Sequence, residues 1–293
     1  MKKVVLTGAT GYLGFALLTE LIQNDIYVYA LCRENSRRRS RLDVLPHVKV
    51  IEADLNHVEK IDDVSGCDVF YHLAWDTEQH RDFTRQYKNV DMSVNCLKLA
   101  KKLGCRRFIC TGSQAEYGNV ADLITEETLL KPTTSYGACK AATYYLTVDL
   151  AKRLNIEHTW ARVFSVYGPN DGQNTLIMTI IRDLQSKGEA NLNTNGEQMW
   201  NYLYEEDAAR ALRLLGWNPH SDTMYNLASR DNKPLKGFVE ELRKRVNDSS
   251  IVWYGEEKSM VNMNVSSEKI RREIGEFENV KFVDGVSEML ALS

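Results

Sequence analysis

Tyr136 and Lys140 stand four residues apart, and Ser113 lies 23 residues before Tyr136. Positions i and i+4 share one face of a helix, so a phenol and an ammonium would sit side by side. A tyrosine ordinarily titrates near about 10, and each unit of lowering represents about 1.4 kcal/mol. A neighbouring ammonium favours the phenolate. A phenol tuned in this way can give a proton to an alkoxide or take one from an alcohol. Lys140 can also hydrogen-bond a ribose, tying cofactor to catalyst. Ser113 follows a short β-branched and apolar run at 107–111, where its hydroxyl can hold a substrate oxygen and polarise a carbonyl. The plainer alternative for these residues is an exposed Tyr–Lys pair and a turn serine.

A second motif favours the chemical reading. Gly8-Ala9-Thr10-Gly11-Tyr12-Leu13-Gly14 follows the apolar run Val4-Val5-Leu6 and opens a helical pattern. Glycines let the backbone approach a pyrophosphate, and a helix N-terminus offers free N–H groups and the positive end of a dipole. In this context the turn is predicted to hold a dinucleotide rather than merely to close a strand–helix unit. The acidic residue that would bind a ribose hydroxyl about 20 residues further on is absent. Cys32 and Arg33 stand there, with Glu34 adjacent and Arg37, Arg38, Arg39 and Arg41 following. A guanidinium at Arg33 suits a 2′-phosphate, so NADP is expected, with NAD the alternative. Arg39 and Arg41 read as a solvated basic loop. Asp54 is placed either to meet the adenine amine or to cap the following turn.

These residues need a scaffold, and the pattern supplies one. Strand-like runs at 4–7, 27–31, 48–52, 68–72, 107–111 and 158–163 alternate with helical spacing at 12–24, 82–103 and 135–154. That alternation predicts an α/β fold, a doubly wound parallel sheet covered on both faces. Past residue 168 the pattern loosens. Pro169, Asn170, Asp171 and Gly172 mark a loop. Helices are predicted at 176–186, 205–216, 235–246 and 266–275, with short strands between them. The expected division is a Rossmann dinucleotide-binding domain at 1–168 and a smaller C-terminal α/β substrate lobe at 169–293, with some chain crossing back. Ligands of such folds bind at the carboxyl edge of the sheet.

Composition narrows the function. The chain has 293 residues, 43% of them hydrophobic, enough for a sizeable core. With 37 basic and 40 acidic residues the net charge is -3, which gives no support for nucleic acid or a membrane surface as the main partner. Cys32, Cys67, Cys96, Cys105, Cys110 and Cys139 lack metal-ligand spacing and read as reduced core thiols. The apolar run after Met1-Lys2-Lys3 is too short for a signal peptide, and no stretch approaches the roughly 20 residues of a membrane span, so a cytoplasmic protein is expected. His47, His57, His72, His80, His158 and His220 show no paired spacing, and no metal is expected. His72 reads as a strand-end residue beside the cofactor. Trp75 and Asp76 follow it, either lining a substrate pocket or packing. Tyr144 and Tyr145 read as core or dimer-face residues.

Over nearly its whole length the chain resembles the extended short-chain dehydrogenase/reductase family, which includes NAD-dependent nucleotide-sugar epimerases, dehydratases and ketoreductases. The resemblance is carried by Thr7–Gly14, Ala53-Asp54-Leu55, His72-Leu73-Ala74, Asn89-Val90, Gly112 to Gly118, Tyr136 to Lys140, and Arg162 to Pro169. It implies a catalytic set of Ser113, Tyr136 and Lys140. It implies cofactor contacts from Gly8, Gly11, Tyr12, Leu13, Gly14, Asp54, Leu55, Leu73, Ala74 and Phe164, besides Tyr136 and Lys140. A nucleotide-sugar substrate and a homodimer through the two long helices are implied as well.

Departures from the family pattern select among its reactions. The dehydratases carry Asp-Glu where this chain has Gln114 and Ala115, which cannot do acid–base work. Ser165 stands where an Asn near the substrate diphosphate is common, and Trp200 where many relatives place an arginine. Arg182 or Arg230 could serve the diphosphate instead, or lie on the surface. Trp75, Ser113, Gln114 and Ser165 complete the candidate substrate contacts. The expected reaction is reduction of a 4-keto sugar nucleotide. The alternatives are a 4-epimerase with retained NAD(P) and an NADP-binding regulatory module without turnover.

Overall fold

The computed structural model describes all residues except 37, 59, 60, 62, 78–80, 219–222, 257–260 and 293. Arg37, His80 and His220 therefore lie outside the described residues. Seven strands form the main sheet: β1 (Lys3–Thr7), β2 (Tyr27–Cys32), β3 (Val48–Glu52), β4 (Val69–His72), β5 (Arg107–Ser113), β6 (Glu157–Val163) and β10 (Thr223–Leu227). All pair in parallel, in the order β10-β6-β5-β4-β1-β2-β3. The inner strands β4 and β5 are buried throughout, as expected for strands covered on both faces. The chain runs outward through β2 and β3, then returns to place β4 on the other side of β1. That reversal opens a crevice at the carboxyl ends of β1 and β4, where the glycine turn lies.

Helix α1 (Tyr12–Gln23) buries Leu17, Leu18 and Leu21 in a cluster shared with Ala208, Ala209 and Leu212 of α5 (Glu205–Trp217). On the opposite face α2 (Phe83–Lys102) packs against α3 (Ser135–Leu154). Both start at side-chain caps. The Asp82 carboxylate accepts from Arg85 N, and the Thr134 hydroxyl accepts from Gly137 N. Asn155 ends α3 in the left-handed region at φ 50°.

The rest of the chain forms two smaller sheets with their own helices. β7 (Ser165–Tyr167), β9 (Met199–Tyr204) and β11 (Asn232–Pro234) form one small sheet, and β8 (Glu189–Leu192) pairs with β12 (Ile251–Tyr254). Between and after them lie α4 (Leu176–Lys187), α6 (Leu235–Asn247), α7 (Glu268–Ile274) and α8 (Phe282–Leu292). Within this second half, α5, α7 and β10 belong to the main sheet and its cover. The sequence reading placed no helix at 282–292. Gly285 masks the pattern there, since glycine is a poor helix former. It is needed because a Cβ would stand 2.5 Å from the Tyr167 hydroxyl. All six cysteines are buried and free. No described helix is long and apolar enough to cross a membrane.

Candidate active site

The glycine turn is a close-packed cradle. Gly8 has φ +81°, and a Cβ there would lie 2.7 Å from Ala74 N at the end of β4. A Cβ on Gly14 would lie 2.0 Å from Gly8 O, so only glycine lets α1 start this close to β1. Gly11 precedes α1 without a side-chain cap, and the first turn carries no acidic residue. The free N–H groups are left for an anionic ligand. Beneath the cradle, His72 is buried with Nδ1 2.8 Å from Thr7 Oγ1 and Nε2 2.9 Å from Ser93 Oγ. Burial pushes its pKa down to about 3, so it is a neutral support for the strand ends.

A cavity of about 630 Å³ opens from this cradle, within the size range of small-molecule and cofactor sites. Of the expected cofactor residues it is lined by Gly8, Gly11, Arg33, Asp54, Leu55, Leu73 and Ala74, together with Thr10 and Ser36. Trp75, Arg85, Lys88 and Asn89 close its far wall. The Asp54 carboxylate accepts from both the backbone and the side chain of Asn56, which lowers its pKa; it caps the turn and still faces the cavity. The open helix terminus and the glycine contacts fit a dinucleotide pyrophosphate. The exposed Arg33 guanidinium faces the same space.

Ser113, Tyr136 and Lys140 come together at the carboxyl end of β5 and the start of α3. A Cβ on Gly137 would stand 2.3 Å from Ala115 O, so the helix start packs directly on the serine segment. Ser113 Oγ accepts from Ala115 N at 3.2 Å, leaving its O–H to donate. Burial raises the Tyr136 pKa, and the Ser113 side chain opposes this as a hydrogen-bond partner. Lys140 is 3% exposed and donates to Thr111 O at 2.6 Å. Burial pushes its pKa down to about 8. The sequence expectation that this ammonium lowers the Tyr136 pKa does not hold here. Lys140 is turned to a backbone carbonyl and lies 3.8 Å from the Trp75 ring centroid. Tyr136 is consequently a neutral phenol, the form that donates a proton.

Sequence reasoning missed what fixes Ser113. Glu116, fully buried, accepts from Ser113 N at 2.8 Å, from Trp160 Nε1 at 3.1 Å and from Arg162 Nε at 2.7 Å. Arg162 continues to the Tyr117 hydroxyl at 2.9 Å, which donates to Asn226 Oδ1 at 2.6 Å. Gly112 has no room for a Cβ, which would meet Trp160 Nε1 at 2.2 Å. The available signal was a charged residue, Arg162, inside an otherwise buried strand, which requires a partner.

Tyr12 opens α1 at the glycine turn. Its pKa is raised by burial first and then by Asp171, Tyr136 and Glu205. Glu205, also missed, is 3% exposed and accepts from Asn170 Nδ2 at 2.6 Å; burial pushes it up to about 7. The other expected residues fall elsewhere. Leu13 packs against the core and Phe164 is buried near Tyr117; neither lines the cavity. Gln114 is half-buried in the 3-10 turn Gln114–Glu116. Ser165 Oγ donates to Met263 Sδ at 3.1 Å. Arg182 is exposed and reaches only Gln173 O at 3.5 Å, and the Arg230 guanidinium is paired with Glu276. Neither arginine is a wall of the cavity. The solvated reading holds for Arg39 and needs correcting for Arg41. Arg39 pairs with Glu52 at 3.0 Å, while Arg41 stacks 3.8 Å from the Phe15 ring centroid and bonds Asn170. Among the described residues, no cluster of three or more His, Cys, Asp or Glu could hold a metal ion.

Known proteins share this fold. The chain is 24% identical to a dTDP-4-dehydro-6-deoxyglucose reductase of Escherichia coli over 310 aligned positions, covering 98% of this chain and 96% of that protein. A trifunctional UDP-glucose 4,6-dehydratase/UDP-4-keto-6-deoxy-D-glucose 3,5-epimerase/UDP-4-keto-L-rhamnose-reductase of Arabidopsis thaliana is 23% identical, but the match covers 84% of this chain and only 40% of that protein. Among solved structures, a UDP-N-acetylglucosamine 4-epimerase from Methanobrevibacter ruminantium superposes with a TM-score of 0.86 at 21% identity, covering 99% of this chain and 97% of that one. A UDP-glucuronic acid 4-epimerase from Bacillus cereus, in complex with UDP-glucuronic acid and NAD, gives 0.85 at 19% identity, covering 99% and 98%. These likenesses show the shared fold. The sequence model described as the NAD dependent epimerase/dehydratase family matches residues 4–228. This chain is therefore a member of that family, an enzyme of the extended short-chain dehydrogenase/reductase class whose relatives are nucleotide-sugar epimerases, dehydratases and reductases.

Proposed function

We propose that the protein reduces the 4-keto group of a nucleotide-linked sugar with NADPH. The observation that carries this reading is the half-buried, neutral Tyr136 phenol beside the Ser113 hydroxyl. The bound cofactor would supply the hydride. Ser113 holds the carbonyl oxygen through its O–H, and Tyr136 delivers its phenolic proton to that oxygen as charge develops there. Lys140 supports the ribose and restores charge balance behind the phenol. Gln114 and Ala115 offer no acid or base for removing water, which weighs against dehydration. Arg33, facing the cavity where an acidic residue would select NAD, supports the preference for NADP.

The sugar lies against the lobe of residues 169–293, with the Rossmann half at 1–168 holding the cofactor. Exposed Phe83 and Tyr87 on α2, with Tyr145 and Leu146 on α3, suit a homodimer through those helices. The test is incubation with NADPH and a 4-keto sugar nucleotide, following reduced nicotinamide and product together. The reading expects one NADPH lost per sugar reduced, faster than with NADH, and loss of that preference in Arg33→Ala. No NADPH loss, with isomerisation of an unoxidised nucleotide sugar instead, would contradict reduction and establish the 4-epimerase.

A further inference from the structure

Trp75 occupies an unexpected place. It leaves β4 directly after Ala74, at the wall of the cofactor cavity. Its ring lies over the Lys140 ammonium, 3.8 Å from Nζ to the centroid. The same ring meets Tyr136 edge-on, 6.0 Å between centroids at 88°. Its indole N–H donates to Gln86 Oε1 at 2.8 Å, and Gln86 is fully buried on α2. Gln86 Nε2 donates to Asp76 O, and Asp76 N donates to Asn89 Oδ1. The backbone at 75–76 is thus fastened to α2, while the indole itself is held by one hydrogen bond and two ring contacts.

The consequence lies in what the cavity reaches. Its walls run from the glycine cradle past Arg33 and Asp54 to Trp75 and the face of α2. Ser113, Tyr136 and Lys140 are not among them. Lys140 carries three donor hydrogens. Thr111 O takes one, and the indole face covers another direction. For a ribose to hydrogen-bond Lys140 from the direction the indole covers, or a ring to stack where Trp75 meets Tyr136, the indole would have to move. The adenosine diphosphate half of the same ligand requires no such movement, because the cradle and the Arg33 side of the cavity are open.

We propose that Trp75 is a gate and positioning residue for the nicotinamide riboside: its indole covers Lys140 and screens Tyr136 until the incoming cofactor displaces it. This rests on the dinucleotide reading of the site and adds a conformational step to it. The ammonium then passes from the indole face to the ribose hydroxyls, so the polar group is never left bare. A closed resting population lowers apparent affinity by the fraction that is open. Removing the ring should therefore tighten and speed binding of the whole dinucleotide. It should leave ligands that stop at the diphosphate unaffected.

The experiment is stopped-flow mixing of the full chain with NADPH, and separately NADH, following energy transfer from tryptophan to reduced nicotinamide. Equilibrium binding of ADP, which has no nicotinamide riboside, is measured alongside. For the wild type, the observed rate should level off at high cofactor concentration, because opening limits it. In Trp75→Ala the rate should rise linearly and the dissociation constant fall about tenfold, with ADP affinity unchanged within about twofold. Trp75→Phe keeps an aromatic face without the N–H to Gln86 and should fall between the two. Indistinguishable NADPH kinetics in wild type and both variants would overturn the gate while leaving the cofactor reading intact. Equal changes for ADP and NADPH would also overturn it, by showing a general effect on the cleft. Failure of the wild type to bind either dinucleotide would overturn the cofactor reading and the gate together.

Discussion

At the Gly8–Gly14 turn the groups offered to a ligand are backbone N–H groups, and the residues are chosen for what they lack. At Ser113, Tyr136 and Lys140 the groups are side chains: Ala115 N bonds the serine, Thr111 O holds the lysine, and the buried Glu116–Arg162 pair is fastened to Ser113 N. One end of the cleft is open and preformed. The other is mostly buried, with the Trp75 ring over Lys140. The contrast teaches that binding and chemistry here have separable supports, so variants should damage one without the other.

The largest effect should come from the support under the serine. Glu116→Gln leaves the buried Arg162 without its charge partner and should cost about 3–5 kcal/mol in urea unfolding. Turnover should fall while NADPH affinity in the folded fraction holds. Equal loss of both would erase the separation. Next is Lys140→Ala, which should lower kcat by about 10² or more, on the scale of a lost acid–base group. The pH profile sharpens this. Burial holds the Lys140 pKa at about 8, below the usual lysine range, so the ammonium is present below that pH and lost above it. Reduction by the wild type should decline as pH rises through about 8. A flat rate through that window would contradict the role.

The smallest effect belongs to Glu205, which accepts from Asn170, itself the acceptor for Arg41 of the first half. Its carboxyl is raised to about 7 by burial, so the folded state holds the proton more tightly than the unfolded chain. The stability this contributes is complete below the ordinary carboxylate pKa and is lost as pH rises through about 7. Glu205→Gln, which mimics the protonated form, should add about 1–3 kcal/mol at pH 8 and little at pH 5, read as a flatter Tm against pH. An equal shift at both pH values would contradict it.

The first half of the chain was legible because its signals are local. Strands β1, β2 and β4 are largely apolar or aromatic runs, β5 has an apolar centre, and the glycines of the turn follow β1. Ser113, Tyr136 and Lys140 were readable for the same reason: spacing and element ends place them. The lobe was less legible. Gly285 disguised α8, and its reason lies in Tyr167, far away in sequence. Glu116 and Arg162 form a pair separated by 46 positions, which spacing cannot announce. Arg41 looked solvated because its partners, Phe15 and Asn170, come from other parts of the chain. The direction of the Tyr136 shift was misjudged because i, i+4 spacing does not say where an ammonium points.

The most direct test compares wild type and Tyr136→Phe for two quantities in one preparation: the dissociation constant for NADPH, and the rate of a single turnover with a 4-keto sugar nucleotide. Removing one hydroxyl should leave the dissociation constant within about twofold and slow the turnover by about 10³. A variant that turns over at the wild-type rate, or one that loses NADPH binding along with activity, would contradict the account.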